Sequence, residues 1–104
     1  MSLRLHDFTL SGHAHRARLF LSLLGLAHET APVDMRQGGH KTPAYLALNV
    51  FGQVPVLEDG DEVVADSNAI LVYLALKHDP SRRWWPGAPA QAAQVQRWLS
   101  AAAG

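Results

Sequence analysis

The sequence predicts an α/β domain: a small mixed sheet with helices on both faces, in the order β-α-β-α-β-β-α, followed by a linker and one further helix. Three observations predict it. Leu3-Arg4-Leu5-His6-Asp7-Phe8 alternates apolar and polar side chains, the period of a strand with one buried face. Residues 14–24 and the segment after Asp66 repeat apolar residues at helical spacing. Between them, Val54–Glu58 and Glu62–Ala65 flank Asp59-Gly60-Asp61, a tight turn whose Asp-Gly pair tolerates positive φ.

The remaining elements follow in chain order. Ser11-Gly12-His13 reads as a loop. The helix over 14–24 places Ala14, Ala17, Leu21 and Leu24 on one face, and Gly25 stops it. His28–Val33 is a second strand, and polar Asp34–His40, with Gly38-Gly39, is a loop. Thr42 caps a short helix with Pro43 in its first turn, running through Tyr45, Leu46 and Leu48 to Asn49. Asp66-Ser67 opens a helix carrying Ile70, Leu71, Tyr73, Leu74 and Leu76, which Asp79-Pro80 ends. Residues 79–89 hold three prolines, a glycine and Trp84-Trp85, a linker by composition. Ala92, Val95, Trp98 and Leu99 mark a last helix with nothing after it to pack on, so its apolar face is expected to be uncovered.

The 104 residues suit one domain with a core of its own. Nine Lys and Arg balance nine Asp and Glu, which leaves no electrostatic footprint for nucleic acid or an anionic membrane. The absence of cysteine excludes disulfides, thiolate metal sites, a Cys nucleophile and a CxxC redox pair. The apolar run at Leu19–Leu24 is broken by Ser22 and is too short to span a bilayer. With no basic region leading into an apolar run at Met1–Leu5, no secretory signal is expected and a soluble cytoplasmic protein is.

Three places carry candidate chemistry. Gln53-Val54-Pro55-Val56 puts a proline at a strand start, where its missing N–H is tolerated. It is either a plain strand start or a cis bond that turns the Val54 backbone outward to pair with an extended peptide ligand. Asp66-Ser67 lies at a strand-to-helix junction. It is either a capping pair or a site for a ligand with amino and carboxylate groups on one carbon. In the second case Asp66 takes the ammonium, while Ser67 and the free helix N–H groups take the carboxylate. Ser11 is either a helix cap or a hydroxyl that donates to a thiolate and favours the charged form.

Taken together, these places resemble the N-terminal domain of cytosolic glutathione transferases. The specific blocks are Leu48-Asn49-Val50-Phe51-Gly52-Gln53-Val54-Pro55-Val56-Leu57 and, eleven residues after Pro55, Asp66-Ser67-Asn68-Ala69-Ile70-Leu71-Val72-Tyr73-Leu74. The run from Ser11 to Arg18 and Leu23–Glu29 supports them. The resemblance implies a thioredoxin-like βαβαββα domain over 1–79, a linker over 80–89, and over 90–104 the first helix of a truncated all-helical C-terminal domain. It implies that glutathione is the co-substrate, without a metal. Val54, beside a cis Pro55, would hold the cysteinyl backbone. Asp66 and Ser67 would hold the γ-glutamyl end, assisted by Gln53, and His40 or Lys41 would lie near the glycine carboxylate. Ser11 matches the catalytic serine of the theta- and zeta-like classes, and would ionise the thiol for attack on a small electrophile. Phe51 falls where some classes carry an aromatic key into a second subunit, which implies a homodimer. Alternative readings are a non-catalytic binding or dimerisation module and a zeta-type glutathione-dependent isomerase.

Other signals are set aside. His13 and His15 are two apart and do not share a helix face, so they read as a solvated pair rather than a metal site. Arg16 and Arg18 read as surface residues, and Trp84-Trp85 as packing for the linker.

Overall fold

A computed structural model describes residues 2–103. Strand β1 is Leu3–Asp7, helix α1 Gly12–Leu23, β2 Glu29–Pro32, α2 Pro43–Leu48, β3 Val56–Asp59, β4 Glu62–Ala65, α3 Ser67–His78 and α4 Pro89–Ala102. The four strands form one sheet in the order β2-β1-β3-β4. β1 pairs parallel with β2 and antiparallel with β3, and β3 pairs antiparallel with β4.

The period-2 pattern of β1 sorts its side chains between two cores. Leu3 and Leu5 join Phe20, Leu21, Leu57, Ile70 and Leu74 beneath α1 and α3. On the opposite face His6 meets Tyr45 of α2 edge-on, with ring centroids 5.8 Å apart. There Val56 packs with Val33 and Tyr45 in the smaller core. Central strand β3 is covered on both faces, so adjacent Val56 and Leu57 are both fully buried. Each such side chain contributes about 1.5–3 kcal/mol relative to exposure.

Three local departures from the sequence reading have plain causes. Helix α1 starts at Gly12 rather than Ala14, because the Ser11 hydroxyl accepts from the Ala14 N–H and caps the first turn. The expected loop 34–40 folds into two short 3₁₀ turns, Met35–Gln37 and Gly39–Lys41. The Asp34 carboxylate accepts from the Gln37 N–H, and the Gly39 N–H donates to the Asp34 carbonyl at 2.7 Å. A Cβ at Gly39 would lie 2.9 Å from that backbone, so the fold requires glycine there. Finally, β3 enters the ladder at Val56, since Pro55 has no N–H to contribute.

After α3, the Asp79 carboxylate accepts from the Ser81 hydroxyl and the Trp84 N–H and shapes the following turn. Trp84 stands edge-on to Phe20, centroids 5.5 Å apart, and Trp85 packs on the larger core. The tryptophans therefore hold this segment against the sheet domain, as the composition predicts. Helix α4 turns Val95 and Leu99 toward an apolar groove shared with α1 and α3, while Trp98 remains 72% exposed. No helix among the described residues is long and apolar enough to cross a membrane.

Candidate active site

One cleft of about 700 Å³ collects the sequence-predicted residues. Ser11 reaches it from the end of β1, His40 and Lys41 from the second 3₁₀ turn, Gln53-Val54-Pro55 from the entry to β3, and Asp66-Ser67 from the start of α3.

Ser11 has extended backbone angles, and its N–H donates to the Phe8 carbonyl at 2.9 Å, closing the turn out of β1. Its Oγ accepts the Ala14 N–H at 3.2 Å. Capping uses a lone pair only, so the hydroxyl proton stays available to a second acceptor.

The loop before β3 is fixed from below. The Val54–Pro55 bond is cis. The Gln53 carbonyl accepts from the Tyr45 hydroxyl at 2.6 Å and from Asn49 Nδ2 at 3.2 Å. Burial pushes the Tyr45 phenol up to about 12, so it stays a donor across the physiological range. Asn49 Oδ1 accepts from the Phe51 N–H, and the Asn49 carbonyl accepts from the Gly52 N–H. Gly52 has φ 59°, and a Cβ there would fall 2.8 Å from both the His40 carbonyl oxygen and Lys41 Nζ. The absence of a side chain at Gly52 therefore lets the 39–41 turn close over this loop. Lys41 Nζ donates to the Phe51 carbonyl at 3.4 Å, and His40 Nδ1 is buried without a hydrogen-bond partner.

Asp66 has φ 79° and ψ 129°, a conformation that costs a non-glycine residue on the order of 1–3 kcal/mol and is concentrated at functional sites. Its Oδ2 accepts from the Ala69 N–H at 3.1 Å and caps α3. Ser67 is buried, and its Oγ accepts from Arg16 Nη2 at 2.6 Å.

Arg16 is the residue that sequence reading missed. It is half-buried rather than a solvated surface cation, and the same Nη2 also donates to Asn68 Oδ1 at 3.0 Å, so α1 is tied to the first turn of α3. Its sequence signal is its spacing, three residues after His13 and hence on the same helix face. Arg18 is likewise half-buried, with Nη1 3.0 Å from Oδ2 of buried Asp7. The described residues contain no group of three or more His, Cys, Asp or Glu that could hold a metal ion.

The starts of two twelve-residue helices, two hydroxyls with free protons, Lys41 and one carboxylate thus border a single cleft. Such an arrangement suits a small extended ligand that carries both anionic groups and an ammonium. The order β2-β1-β3-β4, with helices on both faces of the sheet, defines a domain of thioredoxin-like fold. The chain belongs to the glutathione S-transferase family, whose N-terminal domain model matches residues 10–77.

Individual relatives agree. Glutathione S-transferase 3 of Zea mays is 43% identical over 97 residues, covering 93% of this chain and 44% of its own length. Glutathione transferase E6 of Drosophila melanogaster superposes with a TM-score of 0.95 at 32% identity, over 99% of this chain and 47% of that one. Human glutathione transferase theta-2, solved in complex with glutathione and an unknown ligand, gives a TM-score of 0.88 at 31% identity, over 98% of this chain and 42% of that one. The chain spans slightly less than half the length of these relatives.

Proposed function

We propose that this chain binds glutathione in the cleft as co-substrate, and that the Ser11 hydroxyl favours its thiolate for attack on a small electrophile. The observation that carries the reading is the convergence of Ser11, the cis Val54–Pro55 entry and Asp66-Ser67 on one cavity from three separate turns. Val54 offers backbone groups to the cysteinyl unit. Asp66 pairs with the γ-glutamyl ammonium, while the Ser67 hydroxyl and the α3 N-terminus receive its carboxylate. Gln53 lies beside them, and His40 or Lys41 receives the glycine carboxylate across the cleft. On ionisation the thiol proton passes to water and the electron pair stays on sulfur. Ser11 donates to that sulfur while still capping α1. Each tenfold gain in thiolate requires about 1.4 kcal/mol, within the reach of one hydrogen bond to an anion.

The same reading makes residues 1–79 the glutathione-binding domain, 80–89 a linker and 90–104 the first helix of a helical domain that completes the electrophile pocket. It makes the working protein a cytoplasmic homodimer that uses Phe51, 74% exposed, as a contact. Titrating the ultraviolet thiolate absorbance of bound glutathione against wild type and Ser11→Ala tests the chemistry. The expected result is a rise of about one pH unit in the thiol midpoint of the variant. An unchanged midpoint removes Ser11 from the mechanism.

A further inference from the structure

His13 and His15, which lie on different faces of α1 as their spacing predicts, differ in their surroundings. His13, in the first turn of α1, lines the same cleft as Ser11, whereas His15, two positions on, falls on another helix face. His13 Nδ1 lies 3.5 Å from Arg16 Nη2. That guanidinium is held in place by Ser67 Oγ at 2.6 Å and Asn68 Oδ1 at 3.0 Å. Both Nη2 protons are taken by Ser67 and Asn68, so His13 Nδ1 receives no full hydrogen bond, but a cation without an acceptor disfavours an N–H facing it and favours a lone pair there. In the neutral imidazole the proton then resides on Nε2. The contact is long, so it biases the tautomer rather than fixing it.

We propose that His13 is a second hydrogen-bond donor to the ligand sulfur, its Nε2–H acting beside the Ser11 hydroxyl, with Arg16 as the residue that positions the ring. This rests on the glutathione reading above and adds to it a group for the thiol end of the ligand. When the S–H bond breaks, the proton goes to water and the electron pair on sulfur receives two donors rather than one. The neutral N–H adds no charge beside Arg16 of the same helix or beside Lys41 and His40 of the facing turn. Asp66, the acidic residue of the cleft, caps α3 through Oδ2 and on the glutathione reading faces the γ-glutamyl ammonium rather than the sulfur. His13 is exposed and belongs to neither core, so replacing it leaves the fold intact.

The test uses this chain with His13→Leu and His13→Gln. A glutamine amide N–H reaches about as far as Nε2, whereas leucine keeps bulk and removes the donor. Glutathione affinity is measured by calorimetry and the thiolate fraction of the bound ligand by ultraviolet absorbance at neutral pH. His13→Leu is expected to lower the thiolate-to-thiol ratio of the bound ligand about tenfold, and His13→Gln to keep it within about threefold of wild type. Glutathione binding by His13→Leu with an unmoved thiolate fraction overturns the role of His13 alone. Equal losses in both variants also overturn it, because the ring's shape rather than its donor would then matter. Failure of the wild-type chain to bind millimolar glutathione overturns the glutathione reading, and this inference with it.

Discussion

Gly52→Ala isolates the contact on which the site's loop geometry rests. Gly52 has φ 59° and Gly60 has φ 60°, so alanine meets the same left-handed backbone at both positions. That conformation costs an L-residue roughly 1–2 kcal/mol. The surroundings differ. Nothing lies within 4 Å of a Cβ at Gly60, whereas one at Gly52 would fall 2.8 Å from the His40 carbonyl oxygen and 2.8 Å from Lys41 Nζ. The lysine can swing away, but the carbonyl moves only if the 39–41 turn moves, and overpacking of this kind costs about 1–3 kcal/mol more. Gly60→Ala should therefore lose about 1–2 kcal/mol and Gly52→Ala about 2–5 kcal/mol. Urea unfolding of both variants and wild type, followed by far-ultraviolet circular dichroism, reads the difference as a shift in midpoint at constant slope. Calorimetry supplies the second readout: on the proposed glutathione reading, Gly52→Ala should weaken binding because it displaces His40 and Lys41, and Gly60→Ala should leave binding alone. Equal destabilisation of the two variants would refute the steric argument. A normal affinity in Gly52→Ala would refute the link between that contact and the site.

Three other outcomes follow from the same geometry. Burial pushes the Asp59 carboxyl up, but hydrogen bonds from Lys77, Tyr73 and His78 and the Lys77 charge outweigh it and hold the group at about 2, below its ordinary 3.8. A depressed carboxyl stabilises the fold above its unfolded value, so this contribution of about 1 kcal/mol, discounted for the partly exposed lysine, should fade as pH falls from about 5 toward 2. Asp59→Asn should remove that part of the acid limb in urea midpoints collected against pH. Leu57→Ala, at a fully buried position of β3, should cost about 2–5 kcal/mol and lower the thermal midpoint by at least 8 °C. Phe51→Ser should leave that midpoint within about 2 °C, because the ring is 74% exposed, while on the proposed homodimer it should raise the dissociation constant at least tenfold in sedimentation. Identical sedimentation of variant and wild type would remove Phe51 from the contact.

The elements of this fold were legible where one local signal sufficed. Alternation located β1, Asp59-Gly60 located the β3–β4 turn, and Thr42-Pro43 located the start of α2. The 3₁₀ turns at Met35–Gln37 and Gly39–Lys41 were not, because they depend on Asp34 folding back onto Gly39, a contact without periodicity. The family blocks likewise pointed to Ser11, Gln53-Val54-Pro55 and Asp66-Ser67, and the structure gathers these around one cleft. Arg16 and His13 stayed hidden for a different reason. A cation near a helix start reads as solvated until a partner is known, and the partners of Arg16, Ser67 and Asn68, lie on α3, more than fifty positions away.

The sequence left Ser11 and Asp66-Ser67 each with two readings, cap or ligand site, as if these excluded one another. Their hydrogen bonds make the readings compatible. Ser11 caps by accepting and retains its proton, and Ser67 accepts from Arg16 and retains its own. Asp66 caps through Oδ2, one oxygen of a group with about four acceptor sites. Each cap thus orients a side chain while leaving free the kind of interaction a ligand would need: a donor at each hydroxyl and an acceptor at the carboxylate. The same bonds satisfy the first-turn N–H of Ala14 and of Ala69, so other exposed N–H groups of both helix starts remain available to an anion. A residue can therefore stabilise the fold and serve the site at once when the two roles draw on opposite halves of its hydrogen-bonding capacity. For that reason, affinity alone confounds stability with binding when Ser11 or Asp66 is replaced with alanine, so Ser11→Ala is read through the thiol midpoint of the bound ligand, whereas Asp66→Asn keeps the cap and removes only the charge.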